Sequence, residues 1–133
     1  QSLTSISERL LAEGKSRISG TADASAAIDA LIAWHVEFAL NHRALIVIQD
    51  REWANLTPAA QANVRQLQLA YVDQWVETLR QLRPDLDPMT ARATTQAVFG
   101  LINSTPHSAR ISSAQMSRLL ASMARAALLA GEN

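Results

Sequence analysis

The chain has 133 residues, and its twelve basic and twelve acidic side chains cancel to a formal net charge of zero. Because duplex DNA and anionic membranes attract clustered positive charge, this balance argues against recognition of either one through overall charge. Hydrophobic residues make up 48% of the chain and aromatic residues 5%, with four Gly and four Pro, which favours a single domain of long helices over a turn-rich β fold.

The first two predicted helices are separated by a short polar link. The first helix is amphipathic and ends near Gly20, and Gly14 weakens its middle. Asp23 is a candidate N-cap for the second helix, whose apolar residues recur at three- and four-residue spacing to about residue 40. The apolar side of the first helix consists of Leu3, Ile6, Leu10, Leu11 and Ile18.

The middle of the chain predicts a short helix followed by a long one. Residues 44–54 are dense in aliphatic side chains and could form a strand by propensity, but we interpret them as helix because no partner strand lies nearby. Thr57 followed by Pro58 is a strong start signal for a helix over 58–82. The apolar residues of that helix cover more than one stripe, so we expect it to be the spine of the domain, with neighbours on two sides.

The last third of the chain predicts two helices, 87–105 and 112–130, joined by a link around Pro106. Asp87-Pro88 repeats the cap-and-proline start, and Ser112 with Gln115 forms a capping box. Both helices carry stripes of small and apolar residues, which favour close packing against a second copy of the chain in an intermolecular four-helix bundle. Packing of the stripes within one chain is the alternative. The candidate dimer residues are Ala93, Ala97, Gly100 and Leu101 on the first helix, and Met116, Leu119, Leu120, Met123 and Ala127 on the second.

The order of six helices resembles a known family, as do three local segments: 82–88 (LRPDLDP), 97–103 (AVFGLIN) and the ending 119–129. The chain is similar over essentially its whole length to the C-terminal effector-binding and dimerisation domain of TetR-type transcriptional repressors. The resemblance implies one domain over 1–133 that forms a homodimer in the bacterial cytoplasm. It also implies an N-terminal helix-turn-helix domain for operator DNA, which residues 1–133 do not contain. The missing initiator Met suggests a fragment or a processed product.

The resemblance further implies a cavity among the first four helices for a small effector whose binding releases DNA. The candidate lining is mostly apolar, so we expect a lipid-like ligand or an acyl or steroid thioester, with His35, Asn103 and Tyr71 as hydrogen-bonding groups. The lining candidates are Leu31, Trp34, His35, Phe38, Ile46, Ile48, Trp53, Leu69, Tyr71, Val72, Trp75, Val76, Phe99 and Asn103.

Each of these residues also has a purely structural interpretation. Large apolar side chains at helical spacing fill any helical core, and His35 on an apolar face can simply bond to a neighbour. The hydroxyl of Tyr71 can point outward, and Asn103 can satisfy backbone groups near a helix end. A homodimeric helical scaffold without a ligand therefore remains the alternative function, and a ligand-sized cavity would favour the sensor.

The sequence offers no catalytic or cofactor motif. It has no Cys for a disulfide or thiolate site, and its three His lack the spacing of a zinc site. It has no Gly-rich phosphate loop and no Gly-x-Ser-x-Gly motif, and no apolar run approaches the roughly twenty residues of a membrane span. We therefore expect neither an enzyme nor a membrane protein.

Overall fold

The computed structural model describes residues 2–42, 52–104 and 110–131. Its helices are α1 (Leu3–Ser19), α2 (Ala24–Asn41), α3 (Pro58–Leu82), α4 (Pro88–Ser104) and α5 (Ser113–Leu128), and residues 52–54 are helical as well. No strand occurs in these three ranges, and the predicted all-α class is confirmed. The rest of the predicted helix 44–54 and the link around Pro106 lie outside the described residues.

The helix starts follow the predicted caps. The side chains of Asp23, Thr57 and Ser112 accept hydrogen bonds from backbone N–H groups three residues further on, and Pro58 opens α3. The Asp87 carboxylate accepts from the Thr90 N–H at 2.8 Å, and this bond is the main cause of a lowered Asp87 pKa. Each cap satisfies a backbone donor that lacks a partner within the helix.

The central element is α2, not the long helix α3 that the sequence suggested as the spine. α2 packs against each of α1, α3, α4 and α5, whereas α3 packs against α1, α2 and α4. Buried side chains surround α2, which is typical of a helix enclosed by its neighbours. Among these residues, Leu31, Ala39 and Ile28 are almost completely inaccessible.

The polar contacts of two arginine side chains hold α5 against the rest of the domain. The buried Arg83, directly after α3, donates from Nη1 to the carbonyl oxygens of Leu128 (3.1 Å) and Ala130 (2.8 Å), and from Nη2 to Asp85 (2.9 Å). A cation here complements the negative end of the α5 helix dipole. On the same helix, Arg125 pairs with Asp29 of α2 at 2.5 Å.

α1 approaches α3 closely at Gly14. A Cβ atom at this position would lie 2.6 Å from Gln74 Oε1 and 3.3 Å from a Tyr71 ring carbon, so a larger residue would require the Gln74 side chain to move and the Tyr71 ring to shift slightly. The indole of Trp34 fixes α1 from the other side by donating to the Leu10 carbonyl at 3.1 Å. None of the helices in the described ranges combines the length and apolar character required for a bilayer span.

Candidate functional site

A cavity of about 500 Å³ lies between α1, α2, α3 and α4. The surface of its walls is mainly apolar, although eight of the sixteen described lining residues carry a polar or charged group. Two charged residues line it, Glu52 and Arg65, and the exposed guanidinium of Arg65 stacks 4.8 Å from the ring centre of Trp53. The lining residues are Leu3, Ile6, Ser7, Leu10, His35, Phe38, Glu52, Arg65, Leu67, Gln68, Leu69, Tyr71, Val72, Gln96, Phe99 and Asn103.

His35 is the centre of a hydrogen-bond chain in the cavity wall. Its Nδ1 lies 3.0 Å from the Tyr71 hydroxyl and its Nε2 lies 3.1 Å from Asn103 Oδ1. These three side chains come from α2, α3 and α4, so the chain of bonds joins three helices at one point. The bonds also satisfy polar groups whose burial without partners would be costly.

Aromatic rings surround the imidazole. Phe99 stacks on His35 with ring centres 4.6 Å apart, and Tyr71 stacks at 5.8 Å. The Trp75 ring meets that of Phe99 edge-on at 5.0 Å and forms a fully buried layer behind the cavity wall. Burial lowers the pKa of His35 to about 4, because desolvation disfavours the imidazolium more than the Asn103 hydrogen bond favours it. His35 is therefore neutral near pH 7.

The cavity includes part of the lining predicted from the sequence. Seven of the candidates line it: His35, Phe38, Leu69, Tyr71, Val72, Phe99 and Asn103. Leu31, Trp75 and Val76 instead lie in the core, Trp34 faces α1, and Trp53 is half-buried against Arg65 outside the lining. Ile46 and Ile48 lie outside the described residues.

One entire wall was absent from the sequence-based lining. Leu3, Ile6, Ser7 and Leu10 of α1 face the cavity. Their apolar spacing identified a buried face of α1, but spacing does not show which element the face packs against. Gly14 is the residue that brings this face close to Tyr71, and in the sequence it indicated only a weak helix.

The predicted dimer stripes divide into an exposed and a buried set. On α4, Ala93, Ala97 and Gly100 are exposed and Leu101 is half-buried. On α5, Leu119 and Met123 are 45% and 42% exposed, and Ala127 is half-buried.

Met116 and Leu120 differ from the expectation. They are 5% and 0% exposed and belong to the core of the single chain, together with Ala124 and Leu128. Successive helix positions differ by about 100°, so Leu119 and Leu120 point to different sides of α5. Within the described part of the chain, the side of α5 that carries Leu119 is exposed and the side that carries Leu120 is covered.

A comparison with protein families matches residues 21–107 to the model described as tetracyclin repressor-like, C-terminal domain. The matched segment contains α2, α3 and α4, and with them His35, Tyr71 and Asn103. Helices α1 and α5 lie outside it, although the sequence resemblance was drawn over the whole chain. The comparison with curated proteins gives no match. Because the family match covers more than half of its residues, the chain belongs to the tetracyclin repressor-like C-terminal domains, as its sequence predicted.

Proposed function

We propose that this chain is the effector-sensing and dimerisation body of a TetR-type transcriptional repressor. The observation that carries the proposal is the cavity of about 500 Å³, a size typical of small-molecule sites, with apolar walls and a small polar group formed by His35, Tyr71 and Asn103. The effector is hydrophobic: a lipid-like molecule, or the acyl or steroid part of a thioester. The role is regulatory rather than catalytic, and it is exercised in the bacterial cytoplasm, where operator DNA is found.

Helix α4 provides the physical link between ligand and dimer. Phe99 and Asn103 line the cavity, while Ala93, Ala97 and Gly100 lie on exposed positions of the same helix. A ligand that repositions α4 changes the surface offered to the second copy. In a repressor dimer this alters the separation of two DNA-reading domains, contributed by sequence outside residues 1–133, and operator affinity falls.

The exposed stripes of α4 and α5 support a homodimer. Two copies related by a twofold axis would place the four helices in one bundle, with small side chains allowing close approach. We expect an interface of about 1,200–2,000 Å² with an apolar centre. Ala97→Glu should convert the dimer to a folded monomer in sedimentation experiments, whereas Ala12→Glu, at an exposed position of α1, should leave it dimeric. A folded monomer of the unmodified chain at micromolar concentration would contradict the dimer.

A ligand screen tests the sensor. Long-chain acyl compounds and sterol-like molecules that bind the folded chain should raise its melting temperature by mass action. Val72→Trp, which places a large ring in the cavity, should abolish the rise without changing the dimer. Ala62→Trp, at an exposed position of the same helix outside the cavity lining, is the matched control and should preserve it.

The alternative is a homodimeric helical scaffold that binds no small molecule. A filled core would favour it, and the cavity therefore argues for the sensor. If no hydrophobic compound shifts the melting temperature, or if the shift survives Val72→Trp, the scaffold replaces the sensor as the better proposal.

A further inference from the structure

The hydrogen-bond chain in the cavity wall has a direction. Asn103 presents its carbonyl oxygen Oδ1 to His35 Nε2, and an amide oxygen can only accept. Nε2 must therefore carry the hydrogen. A neutral imidazole holds one N–H, so Nδ1 is an acceptor and the Tyr71 hydroxyl donates to it.

This direction determines which polar atom of the His35, Tyr71 and Asn103 group remains for a ligand. The Tyr71 hydrogen and the His35 N–H are both used within the chain of bonds. The Asn103 Nδ2 group has no hydrogen-bond acceptor among residues 2–42, 52–104 and 110–131. Asn103 lines the cavity and is only partly buried, so its NH₂ group is a donor positioned for a bound molecule.

We propose that the cavity selects a neutral hydrophobic ligand that carries a hydrogen-bond acceptor of the carbonyl class, which Asn103 Nδ2 recognises and His35 orients. The proposal rests on the sensor function and specifies its ligand. In this arrangement Asn103 touches the ligand, and His35 is a positioning residue that holds the asparagine amide in one of its two orientations.

The surroundings of Asn103 explain why the acceptor is neutral. The rings of His35 and Phe99 stack beside it, and His35 carries no charge near pH 7. The charged lining residues among those described, Glu52 and Arg65, form no hydrogen bond or ion pair with His35, Tyr71 or Asn103. Among the described residues, a carboxylate placed at Asn103 would be desolvated against aromatic rings with the Asn103 amide as its donor, which is unfavourable.

The histidine tautomer is the first test, and it uses the unmodified protein. Side-chain nitrogen NMR distinguishes a protonated from an unprotonated ring nitrogen. We expect His35 to carry its hydrogen on Nε2. The Nδ1–H form would require Asn103 to turn its NH₂ group toward His35 and its oxygen toward the cavity, and would overturn the proposal.

Ligand discrimination is the second test. Butyrophenone and butylbenzene have nearly the same shape, and only butyrophenone carries a carbonyl. Asn103→Leu should reduce the preference for butyrophenone relative to butylbenzene by about three- to tenfold, the equivalent of one net hydrogen bond. Asn63→Leu makes the same substitution at an exposed position of α3 outside the cavity lining and should leave the ratio of the two dissociation constants unchanged.

The outcomes separate this proposal from the sensor function. Binding of both compounds with a ratio unaffected by Asn103→Leu overturns the acceptor recognition and leaves the sensor intact, as does binding of 4-phenylbutyrate as tightly as butyrophenone. If neither probe nor any compound of the ligand screen binds saturably, the sensor function fails and this proposal fails with it. If Asn103→Leu does not fold, the tautomer measurement decides.

Discussion

Helix α2 faces two very different environments, a filled side toward α5 and a cavity side toward α1 and α3. Toward α5, aliphatic side chains such as Leu31, Leu120 and Leu128 are completely buried and close the space between helices. Toward α1 and α3, flat rings and hydrogen-bonding groups form the wall of a cavity of about 500 Å³. The aliphatic side chains are packed as in an ordinary protein core, whereas the rings and hydrogen-bonding groups border open space.

The largest expected change in the free energy of unfolding is on the filled side of α2. Leu120→Ala should lower the free energy of unfolding by about 2–5 kcal/mol, because it leaves a void where the side chain is fully buried. Leu119→Ala makes the same change one position earlier, where the side chain is 45% exposed. With both substitutions made in the monomeric Ala97→Glu variant, Leu119→Ala should change the free energy of unfolding by less than about 0.5 kcal/mol. Equal costs in denaturant titrations would remove the distinction between the two sides of α5.

The pH dependence of the free energy of unfolding tests the burial of His35 on the cavity side of α2. The folded pKa of His35 is about 4, below its ordinary value of 6.5, so the unfolded chain binds a proton first as the pH falls. Above pH 6.5 the contribution of His35 to the free energy of unfolding does not change with pH. Between pH 6.5 and 4 the free energy of unfolding decreases by roughly 3 kcal/mol. A His35→Gln variant should show a correspondingly flatter decrease in urea unfolding. Parallel curves for both proteins would show that His35 titrates normally.

Substitution of Arg83 tests how the last turn of α5 is held against the rest of the domain. Arg83→Met keeps much of the apolar stem but removes the bonds to Leu128 and Ala130, which should cost about 1–3 kcal/mol. Hydrogen exchange should accelerate most in the last turn of α5. Arg80→Met, an exposed arginine one turn earlier on α3, is the control and should have little effect. Unchanged protection of α5 in Arg83→Met would contradict the proposed role of Arg83 in holding this helix.

The smallest change in the free energy of unfolding is expected when a side chain is enlarged into the cavity. Val72→Trp enlarges a side chain that lines the cavity and should change the unfolding free energy by less than about 1 kcal/mol. Val98→Trp enlarges a side chain that is 1% exposed and should cost about 1–3 kcal/mol or more through overpacking. Thermal unfolding of the pair measures the difference directly. Similar losses would indicate that both sites are filled.

The sequence predicted local features of the fold better than its tertiary arrangement. Caps such as Asp23, Thr57 and Ser112 act within three residues, so their pattern is sufficient to locate helix starts. The partners of Arg83 are more than forty residues away, at Leu128 and Ala130, and no local pattern identifies them.

The candidate site shows the same limit. Helical spacing placed His35 on an apolar face and the family resemblance added Phe99 and Asn103 as candidate lining residues, and the structure brings the three together. Spacing alone could not separate these residues from Leu31 or Trp75, which have equally apolar surroundings but no open space beside them. That distinction depends on how α1 packs against α3, where Gly14 lies close to Tyr71.

The most direct test of the account is a backbone-amide NMR titration of the dimer with butyrophenone. The account predicts saturable shifts in residues around the cavity, such as Leu10, Tyr71 and Phe99, with the signals of Leu120 and Ala124 in the filled core nearly unchanged. Shifts centred on α5, or the absence of saturable shifts anywhere in the chain, would contradict the assignment of the effector site to this cavity.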